Sequence, residues 1–275
     1  MSKLGLQARM AVVGSILFVF YAAAAALAMA VFGVGLPLVL VGSVAFVGVQ
    51  YKIGKWAALR SVGAEDLPEE RAPELHRRVE SMSRDMGIEK PRLMVARMGV
   101  PNAFAVGRKG AGTVVVSQEL LSLLSNEEVE GVLAHELAHI ANRDVVMMVL
   151  GQGVASIVAI AAQWAVLVAG DNELADFFVA IVVGQITQML VMVFVFAISR
   201  YREYVADSDA ANEIGSGEPL ARALEKISSA GQRTDAEMDE KVNALCIFGT
   251  ETGLAKLFAS HPPVEKRIER LRNGQ

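Results

Sequence analysis

The chain reads as a mainly α-helical membrane protein, with about four transmembrane helices and a polar α+β domain that carries a small sheet. Three observations predict this. Just over half of the 275 residues are hydrophobic and the mean hydropathy is positive, above the usual range of soluble domains. Four uncharged apolar stretches are each long enough to cross a bilayer. Two polar stretches, 61–144 and 200–275, hold short strand and helix patterns and most of the charge.

From Met10 to Tyr51 no residue is charged. As one helix this run would span roughly 60 Å at 1.5 Å per residue, about twice the hydrocarbon core. It must break, and Gly33-Val34-Gly35-Leu36-Pro37 supplies the breakers. The expectation is a helical hairpin, 10–32 and 36–50. A cleaved signal peptide is the competing reading of its first half. The length of the apolar stretch and the second span directly behind it disfavour that reading. Two further spans are expected at 145–170 and 177–199, joined by the short acidic segment 171–176. Charge-free runs of this length are uncommon in soluble cores. The chain therefore divides into an N-terminal transmembrane hairpin (1–60), a first polar part (61–144), a second hairpin (145–199) and a second polar part (200–275).

Four spans put both termini and both polar parts on one side of the bilayer. Lys3, Arg9, Lys52, Lys55, Arg60, Arg143, Arg200 and Arg202 flank the spans on that side, and the two opposite loops contain no Lys or Arg. The positive-inside rule makes that side cytoplasmic in a multi-pass protein of the cell membrane. The net charge of -4 argues against a nucleic-acid partner. The one cysteine, Cys246, cannot form an intrachain disulfide and reads as a small buried hydrophobe.

Within the polar parts, 68–86 has helical spacing and stops at Gly87. Residues 92–96 and 113–117 read as short strands, with 102–106 extended between them. Ser125-Asn126-Glu127-Glu128 has the form of a capping box. It opens a helix whose apolar positions are Val129, Val132, Leu133, Leu137 and Ile140. The second polar part is mostly helical, with a polar break near 231–239. His76 reads as a solvated helix residue.

That capped helix carries His135-Glu136-Leu137-Ala138-His139, which holds two of the four histidines in the chain. Histidines four apart share a helix face, so both imidazoles can reach one zinc ion at about 2.0–2.1 Å. Glu136 is displaced around the helix, where it can act as general base toward a water that the metal polarises. The chemistry implied is hydrolysis of an amide. A catalytic zinc needs a third protein ligand and an open fourth position. The metzincin spacing would require Gly at 142 and His at 145; Asn142 and Val145 stand there. The ligand must come from elsewhere. Directly after the fourth span, Glu203 and Asp207 lie four apart on an expected helix. They offer one carboxylate for the metal and one to hydrogen-bond a ligand histidine, or simply the charges of a helix leaving the membrane.

The sequence resembles the HtpX-type membrane metallopeptidases, which are related to the CAAX prenyl endopeptidases. The shared features are Asn-Ala-Phe-Ala at 102–105, His-Glu-x-x-His at 135–139, Ser-Arg-x-x-Glu-x-x-Ala-Asp at 199–207, His-Pro at 261–262, and two spans on either side of the histidine motif. The resemblance implies a gluzincin-like cytoplasmic catalytic domain and one zinc per chain. It also implies an endopeptidase acting on protein or peptide substrates, in particular misfolded membrane proteins. By the resemblance Glu203 is the third ligand and Asp207 the partner of a ligand histidine. His261 is a candidate for stabilising the oxyanion. Asn102, Ala103, Phe104 and Ala105 are candidates for an edge strand to which substrate adds as a further strand. Two other functions compete. A metal-binding membrane scaffold would not need Glu136, and a transporter or channel would lack charged relay groups, because no span contains one.

Overall fold

The computed structural model describes residues 3–171, 174–234 and 262–274. Four helices are long and apolar enough to cross a membrane: α1 (Lys3–Phe32), α2 (Leu36–Ser61), α6 (Asp144–Ala169) and α7 (Leu174–Ile214). The break between α1 and α2 falls at Gly33, which takes a positive φ of 64° that residues with a Cβ rarely adopt. Helix α7 does not stop at the end of its apolar run. It continues unbroken through Arg200 and Asp207, as the helical reading of 200–207 requires.

The chain forms two compact units. One comprises Ser2–Ile53 and Met147–Ser199, the apolar parts of the long helices. Small residues set its packing. A Cβ on Gly153 of α6 would lie 2.6 Å from Val47 of α2, and one on Gly184 of α7 would lie 2.3 Å from the Gln163 side chain. Backbones approach this closely only where side chains are missing. Gln163 thus packs as a helix contact, and Gln50 of α2 donates to Ser156 Oγ of α6 at 3.4 Å.

The second unit gathers Gly54–Val146 and the described residues from Arg200 onward. Its sheet has the strands β1 (Glu65–Asp66), β2 (Arg92–Ala96), β3 (Ala103–Val106) and β4 (Thr113–Ser117), in the order β1-β2-β4-β3. β2 and β4 are parallel, and β3 closes one edge antiparallel to β4. Every residue of β4 is buried, so its sequence Thr-Val-Val-Val-Ser is apolar toward both faces. Val114 and Val116 turn toward the helices, and Val115 joins Met94, Phe104 and Val62 on the other face.

Helix α5 (Asn126–Ala141) is the centre of this unit. The Glu128 N–H donates to Ser125 Oγ, and the Ser125 N–H donates back to the Glu128 carboxylate at 2.8 Å. The expected capping box is therefore present. Val129, Val132, Leu133 and Leu137 pack against the sheet, against α3 (Pro73–Asp85) and against α8 (Glu218–Thr234). Lys226 of α8 ties to Glu128 at 2.7 Å.

Some local readings need correction. The helix expected from Pro68 is a 3-10 turn, Glu69–Arg71, followed by α3 from Pro73, whose ring occupies the first helical turn. His76 is not a solvated residue. It is half-buried, with Nε2 2.8 Å from the Leu67 carbonyl, and pins the entry to α3. A short helix, α4 (Gln118–Leu123), capped by Ser117, was not expected. Cys246 and most of the expected break at 231–239 lie outside the described residues.

Gly131 marks where α5 and α8 meet most closely: a Cβ there would sit 2.8 Å from the Leu220 backbone nitrogen. Alanine would raise helix propensity by about 1 kcal/mol, but overpacking against backbone costs about 1–3 kcal/mol. Gly131→Ala should therefore lower thermal stability in detergent. An unchanged or raised melting temperature would mean that the two helices do not need this close approach.

Candidate metal centre

Helix α5 brings His135 and His139 onto one face, and α7 brings Glu203 to them. One ligand atom from each lies within 4.8 Å of the others. The two Nε2 atoms are 3.0 Å apart. His139 Nε2 is 3.3 Å from Glu203 Oε1, and His135 Nε2 is 3.5 Å from Glu203 Oε2. A tetrahedral ion with ligands at about 2.0–2.2 Å needs donor separations of roughly 3.3–3.6 Å. The two imidazole–carboxylate separations fall in this range and the Nε2–Nε2 separation lies just below it, so two imidazoles and a carboxylate here suit a divalent metal and would leave a fourth position for solvent or substrate.

Each imidazole is oriented from behind. His139 Nδ1 lies 2.6 Å from Asp144 Oδ2, and His135 Nδ1 lies 3.0 Å from Asp207 Oδ1. A carboxylate hydrogen-bonded at Nδ1 holds the ring proton there and leaves the Nε2 lone pair for a metal. Asp144 does this for His139, whereas the His135–Asp207 contact has an ion-pair distance without hydrogen-bond geometry. Each carboxylate is held in turn by a buried arginine. Arg202 pairs with the Asp144 side chain and donates to the carbonyls of Asp144 and Asn142 at 3.2 Å. Arg267, on α9 (Val264–Asn273), forks onto Asp207 at 2.6 and 2.9 Å and reaches Glu203 Oε2 at 3.2 Å. Its Nη2 also lies 3.3 Å from His135 Nε2.

The electrostatics follow from burial against paired charge. Burial alone would push the His139 imidazole down, but the Glu203 and Asp144 carboxylates hold its pKa well above the ordinary histidine value. For His135, burial and the nearby Arg267 and His139 lower the pKa, and Asp207 and Glu203 raise it by more. Arg267 is fully buried, yet the opposing charges of Asp207, Glu203 and Glu136 outweigh the desolvation and raise its pKa. The carboxylates thus make a pocket that attracts a cation.

The structure brings His135, Glu136, His139, Glu203 and Asp207 together; Glu136 is buried on α5 beside the ligand histidine. Asn102 is fully buried and leads into β3, the edge strand, which packs along α5. Its N–H donates to Ser117 Oγ at 2.9 Å, and its carbonyl accepts from the Ser117 N–H at 2.8 Å. His261 lies outside the described residues.

Sequence reasoning missed Asp144, Arg202 and Arg267. Asp144 had a usable signal, since it stands five residues past His139, across the helix end. There Arg143 takes a left-handed φ of 59°, turning the chain between α5 and α6. Arg267 had none: it is 132 residues from His135.

Two histidines of a His-Glu-x-x-His helix brought against a buried carboxylate, in a chain whose described residues include four membrane-length apolar helices, define a membrane metallopeptidase. The Peptidase family M48 model matches residues 69–275. A Protease HtpX homolog of Halobacterium salinarum is 62% identical over 96% of this chain and 100% of its own length. One of Aquifex aeolicus is 36% identical over 87% of this chain and 83% of its own. In fold, the crystal structure of S. mikatae Ste24p is similar at a TM-score of 0.62 and 18% identity. The match covers 96% of this chain and only 63% of the Ste24p chain. The chain belongs to peptidase family M48, among the HtpX-type membrane metallopeptidases.

If Asp144 orients His139, Asp144→Asn should weaken metal affinity by about 10–100-fold while keeping the fold, because asparagine still accepts from Arg202. Asp207→Asn should act likewise through His135. Competition with a chromophoric chelator on detergent-purified protein measures both. Wild-type affinity in either variant removes that aspartate from the site.

Proposed function

We propose that this chain is a zinc endopeptidase that cuts misfolded membrane proteins at the cytoplasmic face of the cell membrane. The observation that carries this reading is the cluster of buried His135 and Glu203 with partly buried His139, and Glu136 next to it on the same helix. Zinc suits the donors: two imidazoles and a carboxylate with near-tetrahedral spacing are a common catalytic zinc set. When bound, zinc supplies Lewis acidity toward the scissile carbonyl and lowers the pKa of water.

The chain's own groups do the rest. Glu136 takes a proton from the attacking water and passes it to the leaving amine nitrogen. Asp144 and Asp207 keep the two imidazoles in the tautomer that faces the metal, and Arg202 and Arg267 keep those aspartates charged and in place. Substrate is bound as an added strand along Asn102, Ala103, Phe104 and Ala105, which would fix the scissile bond by backbone pairing. Support for this comes from the position of β3 at the sheet edge, against the helix that carries the motif. His261 is proposed to donate to the oxyanion. Its support is its place in the chain just ahead of α9, whose Arg267 reaches the cluster. Membrane-protein substrates are favoured because the site belongs to a chain with four membrane-length helices. The cytoplasmic orientation is supported by the lysines and arginines that flank those helices.

Glu136→Gln should retain the metal and lose at least about 10²-fold in peptide hydrolysis, because glutamine cannot accept the proton. Glu203→Ala should lose the metal itself. Metal analysis beside cleavage of a denatured membrane protein separates the two outcomes. Wild-type turnover in Glu136→Gln would overturn the mechanism, and undiminished metal in Glu203→Ala would overturn the ligand set.

Orientation is tested by reporter fusions. A fusion at the C-terminus should report the cytoplasm, and one within 171–176 the opposite side. The same side for both would mean that α6 and α7 do not cross.

A further inference from the structure

We infer that the end of α2 and the turn between β3 and β4 form a binding surface for anionic phospholipid headgroups. Helix α2 has 26 residues, or about 39 Å at 1.5 Å per residue, against a hydrocarbon core of about 30 Å. Its uncharged apolar part ends at Tyr51. The last turns therefore stand at headgroup level, and their side chains suit that depth. Lys52, Trp56 and Arg60 are spaced four apart on one face, and all three are exposed. Trp56 is 63% exposed, unusual for a tryptophan facing water but ordinary for one at a membrane interface. The Arg60 guanidinium lies over its ring, 5.8 Å from the centroid.

The catalytic unit adds a second cationic element beside this helix end. Lys55 Nζ donates to the Ala111 carbonyl at 3.2 Å, holding the β3–β4 turn against α2. The turn closes with the Ala111 N–H donating to the Arg108 carbonyl at 2.9 Å. Glycine is required on either side of its tip. Gly107 has φ +113°, and a Cβ there would lie 2.3 Å from the Ala111 carbonyl oxygen; Gly110 has φ +76°. The conformation thus depends on the glycines, while Arg108 and Lys109 at the tip point to no structural task. Among the described residues no hydrogen bond or ion pair engages either side chain. Two carboxylates lie nearby, Glu89 against Gly110 and Asp66 in its pair with Arg92. Lys52, Lys55, Arg60, Arg108 and Lys109 leave the balance cationic. A cationic surface flanking an exposed tryptophan at the end of a membrane helix matches an anionic headgroup layer in both charge and depth.

The test uses the full chain in neutral-detergent micelles, carrying Trp164→Phe so that Trp56 is the only tryptophan. Trp56 fluorescence is followed while phosphatidylglycerol or phosphatidylcholine is titrated in. Saturable binding is expected for phosphatidylglycerol alone. Each cation near a charged membrane surface is worth about fivefold in affinity. The double substitution Arg108→Gln with Lys109→Gln should therefore weaken binding roughly 25-fold, and Arg60→Gln, at the other border of the patch, about fivefold. Arg77→Gln, an exposed arginine on α3, should change nothing. Melting temperatures in phosphatidylcholine show whether each variant is folded, and the Arg60 variant reads the proposal independently of the turn. Equal responses to the two lipids, or wild-type affinity in the folded variants, would overturn it. So would competition by inorganic phosphate or soluble polyglutamate as strong as that of phosphatidylglycerol, because the surface would then recognise phosphate or acidic polypeptide instead.

Discussion

Buried opposite charges, laid out in two arms around a pair of imidazoles, hold the catalytic unit in register. Asp144, Glu203 and Asp207 are all at least nine-tenths buried, as are Arg202 and Arg267. A buried carboxylate costs several kcal/mol unless it is paired and hydrogen-bonded, and breaking such a pair costs about 3–5 kcal/mol. Each arm therefore constrains the element that supplies it. Asp144 and Arg202 lock the start of α6 to α7 behind His139, and Asp207 and Arg267 lock α7 to α9 behind His135. The fork of a guanidinium suits this role better than a lysine would, since Arg267 spans Asp207 and Glu203 at once. The helix that carries Arg267 is itself anchored. A Cβ on Gly217 would lie 2.4 Å from the Leu271 carbonyl oxygen, so only glycine lets α9 pack there. Arg272 then pairs with Glu218 and Glu225 of α8.

How much of this was legible in the sequence depended on whether its physics is local. The His135/His139 spacing, the Ser125 capping box and the uncharged runs of the spans are local patterns, and each locates its element, although α2 and α7 run on well past their uncharged parts, to Ser61 and Ile214. The strands β2 and β4 were legible because short apolar runs bounded by Pro and Gly have little alternative. β1 was not, because Glu65–Asp66 has only two residues, both exposed, and is tied to β2 by its backbone pairing and the Asp66–Arg92 ion pair rather than by any apolar pattern. The helix α4 escaped notice because its cap, Ser117, is also the last residue of a strand. Glu203 and Asp207 could be nominated from their spacing and the resemblance, but their arginines could not. An arginine six residues from a histidine near the C-terminus carries no pattern that distinguishes a buried ion pair from a solvated helix face.

Charge and glycine divide the work between the two compact units. In the apolar unit, glycines on α6 and α7 allow side chains of neighbouring helices to fill the space a Cβ would take, because lipid gives helices no hydrophobic reason to associate. In the catalytic unit, water does provide that drive, and valines and leucines of the sheet, α3, α5 and α8 form one core. The buried charges Glu136, Glu203, Asp207 and Arg267 gather at the histidine face of α5, while Ser83, Asn102, Thr113, Ser117 and Glu128 are buried elsewhere in the unit. The same helix is thus apolar packing on one side and a cation-attracting wall on the other.

Chain order shows why such a site tolerates a membrane hairpin within it. The two histidines and Glu136 come from one helix, so forming that half of the site closes no loop. Glu203 and Asp207 arrive only after the long apolar stretch 145–199, and Arg267 after a further 60 residues beyond Asp207. Closing a flexible loop of that order costs roughly 3–4 kcal/mol, and doubling its length adds only about 0.6 kcal/mol. A short connection between α5 and the ligand helix would therefore save little. What matters is that the returning segment arrives as a rigid element with its carboxylates on one face. α7 meets that need by continuing as one helix from its apolar part through Glu203 and Asp207 to Ile214. Glu203 is carried to the two histidines by the helix that follows the second hairpin, and Arg202 and Arg267 pair the aspartates buried behind them.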